Sequence, residues 1–128
     1  MSYTLELDTT ARIISANLTG PLTQQFRKEV LVALASKQHQ CGFTNLLIDV
    51  SGTEFSLAEP MMNALDLVTF MTALDFLPET KLAFISVKAA PHRKFFADMA
   101  HSRGFNICYF NSRENAISWL STEETNVS

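Results

Sequence analysis

The last thirty residues constrain the fold most strongly, because the pattern changes there from a strand to a helix within one turn. Residues Phe105 to Phe110 form an apolar run of strand length. Residues 111–114 carry side chains typical of a helix start, and residues 116–120 place their apolar side chains on one helical face. A strand that leads directly into an amphipathic helix is one βα unit of a layered α/β domain.

The rest of the chain predicts the element order ββαβαβαβα, in which the first two strands form an antiparallel hairpin. Residues 3–7 alternate apolar and polar side chains, and a turn at residues 8–10 leads to a second strand over residues 11–18. The next predicted elements are a helix capped by Thr23 and ending near Cys41, a strand from Phe43 to Val50, a polar loop from Ser51 to Ser56, a helix from about Ala58 to Leu77, a strand from Lys81 to Val87 and a helix from Pro91 to Arg103.

Three consecutive βα steps require right-handed crossovers between parallel strands. We therefore expect an α/β fold with a mixed, mostly parallel five-stranded sheet and about four helices. The length of 128 residues fits a single domain over residues 1–121, followed by a disordered tail over residues 122–128.

Composition excludes several classes of partner. The net charge is -3 and the basic residues are scattered, so a nucleic-acid partner is not expected. No apolar run approaches the roughly 18 residues of a membrane span. The N-terminus lacks the features of an export signal, and Cys41 and Cys108 form no short-spaced pair, so the expected location is cytoplasmic.

The predicted second helix carries apolar side chains around most of its circumference. Helical spacing groups the side chains of residues 61, 65, 68 and 72 on a core-facing side, and a second, apolar stripe lies elsewhere on the helix. Burying that stripe against a second copy predicts a homodimer, whereas neighbouring helices of the same subunit are the alternative cover. The interface candidates are Leu67, Phe70, Met71 and Leu74.

The carboxyl ends of parallel strands are the usual ligand position in open α/β sheets. Basic side chains surround the start of the predicted third helix, whose free N–H groups favour anions. Hydroxyl groups follow the central strand and could lie opposite. The resulting anion-site candidates are Ser51, Thr53, Ser56, Lys88, His92 and Arg93.

No pattern predicts catalysis, a metal or a cofactor. The three histidines, at positions 39, 92 and 101, lack the spacing of a metal site. A triad could be drawn from Ser51, His92 and Asp49, but no Gly-x-Ser-x-Gly elbow presents a nucleophile. The sequence therefore predicts a protein that is not an enzyme.

The element order resembles that of the STAS, or SpoIIAA-like, family, whose shape is related to the CRAL-TRIO lipid-binding domains. The resemblance covers Tyr3 to Leu120 and includes the strand end Leu47-Ile48-Asp49-Val50-Ser51 and the closing segment from Phe110 to Leu120.

This resemblance implies a protein-contact regulator that is switched by phosphorylation of a serine. Asp49 matches the acid at the strand end and Glu54 the second acid, but Phe55 stands at the phosphoacceptor position and Ser56 matches only the neighbouring serine. A phenyl ring cannot be phosphorylated. Ser51, Thr53 or Ser56 could substitute for the missing acceptor.

Two binding functions follow. The leading prediction is a regulatory or protein-interaction module, homodimeric and with an unknown protein partner. The alternative is a small-molecule or lipid-binding domain with an anion site at the strand ends. The phenylalanines that could line its cavity are Phe55, Phe70, Phe76, Phe84, Phe95 and Phe96.

Overall fold

The computed structural model describes residues 1–55, 60–86 and 93–122. Its elements follow the predicted order ββαβαβαβα. The strands are β1 Ser2–Asp8, β2 Ile13–Pro21, β3 Asn45–Glu54, β4 Lys81–Ile85 and β5 Asn106–Phe110. The helices are α1 Gln24–Cys41, α2 Met62–Ala73, α3 Arg93–Ser102 and α4 Arg113–Leu120.

One five-stranded sheet, in the order β1-β2-β3-β4-β5, carries the fold. The β1–β2 pair is antiparallel and the other three pairs are parallel, which confirms the predicted fold class. Asp8 ends β1 by accepting hydrogen bonds at Oδ1 from the N–H groups of Thr10 and Ala11, at 3.0 and 2.9 Å. The hairpin is therefore closed by a side-chain cap at the predicted turn.

β3 is longer than its apolar run predicts. Its last residues pair with β2 beyond a bulge, with Gly52 opposite Thr19 and Glu54 opposite Pro21. The predicted loop over residues 51–56 is thus wrong for residues 51–54. The reason is that β2 itself continues past its apolar part and offers backbone partners, so the polar end of β3 remains in the ladder.

The helices divide unequally between the two faces of the sheet. α1, α2 and α3 pack on one face, which we call the three-helix face, around Ile14, Leu46, Leu82 and Ile107. α4 alone packs on the other, the α4 face, through Ala116 and Leu120. Within the described residues, no helix combines the length and the hydropathy needed to cross a membrane.

α2 is shorter and rotated relative to its prediction. It ends at Ala73 rather than Leu77, because Asp75 takes a left-handed backbone conformation with φ 61°. Val68 and Met71 are fully buried, whereas Met61 is 49% exposed and Thr72 lies on the surface. The predicted core-facing stripe is therefore correct at Val68 and wrong at Met61 and Thr72.

The wide apolar circumference of α2 is covered within the chain. Leu67, Phe70 and Leu74 are half-buried and pack against the core of the three-helix face. α2 contacts both α1 and α3, so it has a neighbour on each flank as well as the sheet beneath it. The structure thus favours the alternative of cover by neighbouring helices, and Met71 is not accessible to a partner.

A fully buried glutamine, Gln38, lies at the amino end of the parallel strands. Gln38 Nε2 donates to the carbonyl oxygen of Phe43 at 3.1 Å and to Thr80 Oγ1 at 2.7 Å. Gln38 Oε1 accepts from the N–H of Leu77 at 2.9 Å. One side chain therefore ties α1 to the segments that precede β3 and β4.

Candidate functional site

A pocket of about 110 Å³ opens at the carboxyl ends of the strands, on the three-helix face. Its floor is formed by the sheet, and its walls come from α2 and from the first halves of α1 and α3. We call it the strand-end pocket. Its apolar lining consists of Leu18, Leu22, Val30, Leu31, Ile48, Val50, Phe55, Ala64, Leu67, Met71, Phe84 and Phe96, and its polar lining of Gln24, Arg27, Asn63, Ser86, Arg93 and Tyr109.

Strand alternation explains why these side chains meet. Ile48 and Val50 lie two residues apart on β3, and Phe84 pairs with Tyr109 across the β4–β5 ladder. Side chains two residues apart point to the same face of a strand, so all four project toward the helices. Ile48 is nearly fully buried, whereas Val50, Phe84 and Tyr109 are half-buried at the pocket.

Tyr109 lies between an aromatic ring and a cation. Its ring stacks on Phe84 with centroids 5.2 Å apart and planes 23° apart. The guanidinium carbon of Arg93 lies 4.3 Å from the centroid of the Tyr109 ring. Such stacking holds an aromatic ring and a guanidinium in fixed relative positions.

The Tyr109 hydroxyl has no hydrogen-bonding role in the fold. In the part of the chain that the structure describes, it makes no hydrogen bond, and since no fully buried side-chain polar atom there lacks a partner, the hydroxyl is accessible from the pocket. Burial raises the pKa of Tyr109 well above its usual range, against smaller opposite contributions from Arg93 and Arg27. The group therefore stays a neutral O–H, able to donate and to accept a hydrogen bond.

A polar network joins α1 to α2 at the pocket mouth. Gln24 Nε2 donates to the carbonyl oxygen of Asn63 at 2.9 Å and to Asp66 Oδ2 at 3.0 Å, and its Oε1 accepts from Arg27 Nη1 at 3.1 Å. Lys28 Nζ lies 2.8 Å from Asp66 Oδ2. Hydrogen bonds from Lys28 and Gln24 lower the pKa of the exposed Asp66 carboxyl. These contacts set the spacing of the two helices at the mouth.

A second polar group lies on the α4 face. Ser51 Oγ donates to Asp49 Oδ1 at 2.5 Å, and Arg113 Nη1 lies 3.8 Å from Asp49 Oδ2. Arg113 also donates to Asn17 Oδ1 at 3.3 Å. The group is open to solvent and its hydroxyl, carboxylate and guanidinium already satisfy one another.

The predicted anion-site residues are only partly brought together. Arg93 lines the strand-end pocket, but Ser51 and Thr53 do not. The hydroxyl of Thr53 is buried and donates to the carbonyl oxygen of Val50 at 2.6 Å. Ser56, Lys88 and His92 lie outside the described residues, so their membership of a site stays a prediction.

The predicted aromatic cavity is similarly partial. Phe55, Phe84 and Phe96 line the pocket, whereas Phe70, Phe76 and Phe95 do not. Phe70 instead packs at the α1 side, where Lys28 Nζ lies 5.3 Å from its ring centroid. Phe76 makes an edge contact with Phe105 at 6.4 Å.

Sequence reasoning predicted one polar member of the pocket, Arg93, and missed the other five, which are Gln24, Arg27, Asn63, Ser86 and Tyr109. Tyr109 lies two residues after the core residue Ile107, and this period-two spacing could have placed it on the three-helix face. Arg27 precedes the core residues Val30, Leu31 and Leu34 by three, four and seven positions, and this helical spacing could have placed it on the inward face of α1. Within the described ranges, no group of three or more potential metal ligands is found.

No family model and no curated protein matches this sequence. Solved structures with a similar fold are found. The anti-sigma factor antagonist SpoIIAA in its unphosphorylated form superposes with a TM-score of 0.55 at 13% identity, over 95% of this chain and 100% of SpoIIAA.

An uncharacterised protein from the DUF3478 family, with a SpoIIAA-like fold, from Shewanella loihica is also similar. Its TM-score is 0.53 at 16% identity, over 93% of this chain and 92% of that protein. The chain thus has a SpoIIAA-like fold, as the sequence resemblance predicts. At these identities the likeness concerns the fold.

Proposed function

We propose that this SpoIIAA-like protein is a non-enzymatic regulatory module that binds a small molecule in the strand-end pocket. The observation that carries the proposal is the pocket itself. Its walls are apolar, its polar groups are few, and it lies where open α/β sheets usually bind ligands. Of the two functions predicted from the sequence, the geometry favours the small-molecule alternative.

The position of Phe55 supports a ligand rather than a phosphate as the signal. The family resemblance places a phosphoacceptor serine at this position, and here the phenyl ring lines the pocket. Phe55 therefore adds apolar surface for a ligand at the position where a phosphoregulated relative would carry a hydroxyl.

Filling the pocket tests the proposal. Ala64 lies on α2 and lines the pocket, so Ala64→Phe places a ring in the cavity without changing charge. Toluene, a compact apolar probe, should shift amide signals of pocket residues in NMR spectra of the wild type and leave those of Ala64→Phe unchanged. A native mass spectrum of the purified protein would also reveal the mass of any co-purifying ligand.

The matched control is Ala73→Phe, at the exposed end of the same helix. This variant should bind toluene like the wild type. Equal toluene-induced shifts in wild type and Ala64→Phe, or none in either, would contradict ligand binding in the pocket.

Contact with another protein is the second candidate function. It is supported by the fold of SpoIIAA, named as an anti-sigma factor antagonist, and by two adjacent exposed methionines at the start of α2. Met61 is 49% exposed and Met62 68% exposed. A patch of this kind could contact a protein partner or a second copy of the chain.

Solution mass tests the homodimer version. Met62→Glu places a charge in the patch without disturbing the core, so it should convert a dimer into a monomer in light scattering after gel filtration. Glu79→Asp, a substitution at an exposed acid, is a control that should leave the mass unchanged. A monomeric wild type would rule out the homodimer at the concentration used.

A further inference from the structure

We propose that the strand-end pocket selects a small carboxylate with a compact apolar body, whose carboxylate binds Arg93 and the Tyr109 hydroxyl. This inference rests on the proposed function and specifies the chemical class of the ligand. Three independent observations support it: the size of the cavity, the sign of its charge and the unused hydroxyl.

The volume limits the apolar body. The pocket measures about 110 Å³, and an apolar cavity of about 150 Å³ is known to hold benzene. A ring or a short branched chain is therefore the largest body that fits with its head group at the mouth. A long acyl chain exceeds this space several-fold, so the described pocket does not suit a whole lipid.

The charge of the lining favours an anion. Arg93 and Arg27 line the pocket, of which Arg27 already contacts Gln24 and a further group, and the described lining residues include no Asp or Glu. Within residues 1–55, 60–86 and 93–122, no carboxylate lies within ion-pair distance of Arg93. A half-buried guanidinium beside apolar walls gains most from an acceptor that brings negative charge with it.

The geometry of Arg93 suits a carboxylate in particular. Its guanidinium lies over the Tyr109 ring, and a guanidinium keeps its N–H donors in its own plane when it stacks on an aromatic face. The edge of the group thus remains available for the two oxygens of a carboxylate. The neighbouring Tyr109 hydroxyl, neutral and without a partner, can donate a further hydrogen bond to one of them.

Benzoate and its neutral isostere benzamide form the test pair, measured by calorimetric titration of the full chain at neutral pH. Wild type should bind benzoate at least about tenfold more tightly than benzamide, because a charge-assisted bidentate contact adds that much or more. Arg93→Met should abolish this preference and leave benzamide binding unchanged, while Arg93→Lys should keep part of it. Tyr109→Phe should lower the affinity for benzoate by about threefold to tenfold, because the ligand loses one hydrogen bond.

The outcomes separate this inference from the proposed function. Equal affinity for benzoate and benzamide, with toluene still bound, would overturn the carboxylate class and leave the pocket as a binding site. Tighter binding of phenyl phosphate than of benzoate, lost in Arg93→Met, would also overturn it in favour of a phosphate ester. If none of these probes binds, and toluene does not bind either, both proposals fail.

Discussion

The two ends of the parallel strands use their polar groups in opposite ways. At the amino end, Gln38 is fully buried, and its side-chain amide is hydrogen-bonded to Phe43, Leu77 and Thr80 in the segments that precede β3 and β4. At the carboxyl end, Tyr109 and Arg93 meet an open cavity, and the Tyr109 hydroxyl has no hydrogen bond in the described part of the chain. The same sheet thus carries a fully paired polar side chain at one end and a hydroxyl that faces a pocket at the other.

The difference shows how binding sites can be distinguished from structural polar clusters. Buried polar groups in folded proteins are nearly always satisfied, because an unpaired one costs free energy of unfolding. A satisfied group such as Gln38 is explained by the fold. The Tyr109 hydroxyl instead faces an open pocket, where it is free to pair with water or with a ligand, since the described residues contain no fully buried side-chain polar atom without a partner. Four predictions test this contrast.

Gln38→Leu should have the largest effect on stability. The substitution keeps a similar volume but leaves the N–H of Leu77 and the carbonyl oxygen of Phe43 without their partner. We expect a loss of about 3 kcal/mol in the free energy of unfolding, measured with denaturant. Gln40→Leu, an exposed neighbour on the same helix, should lose almost nothing; equal losses in the two variants would contradict the role of Gln38.

Lys81→Met should have the next largest effect. Lys81 is buried at the start of β4, and its Nζ donates to the carbonyl oxygens of Trp119 and Thr122, at 2.9 and 3.1 Å, at the end of α4. A cation at a helix C-terminus offsets the partial negative charge of its free carbonyls. The expected loss is about 2 kcal/mol, against little change for the exposed Lys94→Met. An unchanged unfolding midpoint would show that α4 needs no such cap.

Alkaline pH should reveal the burial of Tyr109. Because its pKa is raised in the folded state above the usual value of 10.0, the native protein keeps the proton to a higher pH than the unfolded chain. This contribution to stability is complete below pH 10 and is lost as pH rises above it. Between pH 9 and pH 11, the free energy of unfolding of Tyr109→Phe should therefore fall less than that of the wild type. Parallel curves of unfolding free energy against pH would contradict the burial of Tyr109.

Tyr109→Phe at neutral pH should have the smallest effect, in contrast with Gln38→Leu. Removing a hydroxyl that has no partner breaks no hydrogen bond and keeps the stacking on Phe84. The free energy of unfolding should change by no more than about 0.5 kcal/mol. A loss as large as that of Gln38→Leu would show that the hydroxyl is structurally engaged and would remove the contrast between the two ends.

Element order and fold class were predictable because they depend on local patterns. The alternation in β1, the cap at Thr23, and the change from strand to helix near Ser112 are each encoded within a few residues. The end of α2 was less predictable, since no signal as strong as Pro78 marks the left-handed turn at Asp75.

The burial of α2 could not be read from its own sequence. A helix pattern shows how much of the circumference is apolar but not how many neighbours will cover it. Here α1 and α3 lie on its two flanks, so Leu67, Phe70 and Leu74 contact the chain's own core. Cover by neighbouring helices, the alternative weighed from the sequence, thus accounts for this stripe, and the homodimer stays a prediction.

The site shows the same division. The carboxyl ends of the strands were predictable as its location, because parallel strands with right-handed crossovers bring their ends to one edge. The residues that line the site were only partly predictable. Arg93 was predicted, Tyr109 and Arg27 were missed, and Ser51 lies with Asp49 on the α4 face.

By itself, the sequence determined the order of the elements, the parallel pairing and the edge of the sheet where the strand-end pocket lies, because these follow from short-range periodicity and chain connectivity. Only the tertiary structure decided which side chains stay unpaired and which gaps stay unfilled. Those properties depend on the packing of residues such as Arg93 and Tyr109, which are distant in sequence, and no local pattern records them.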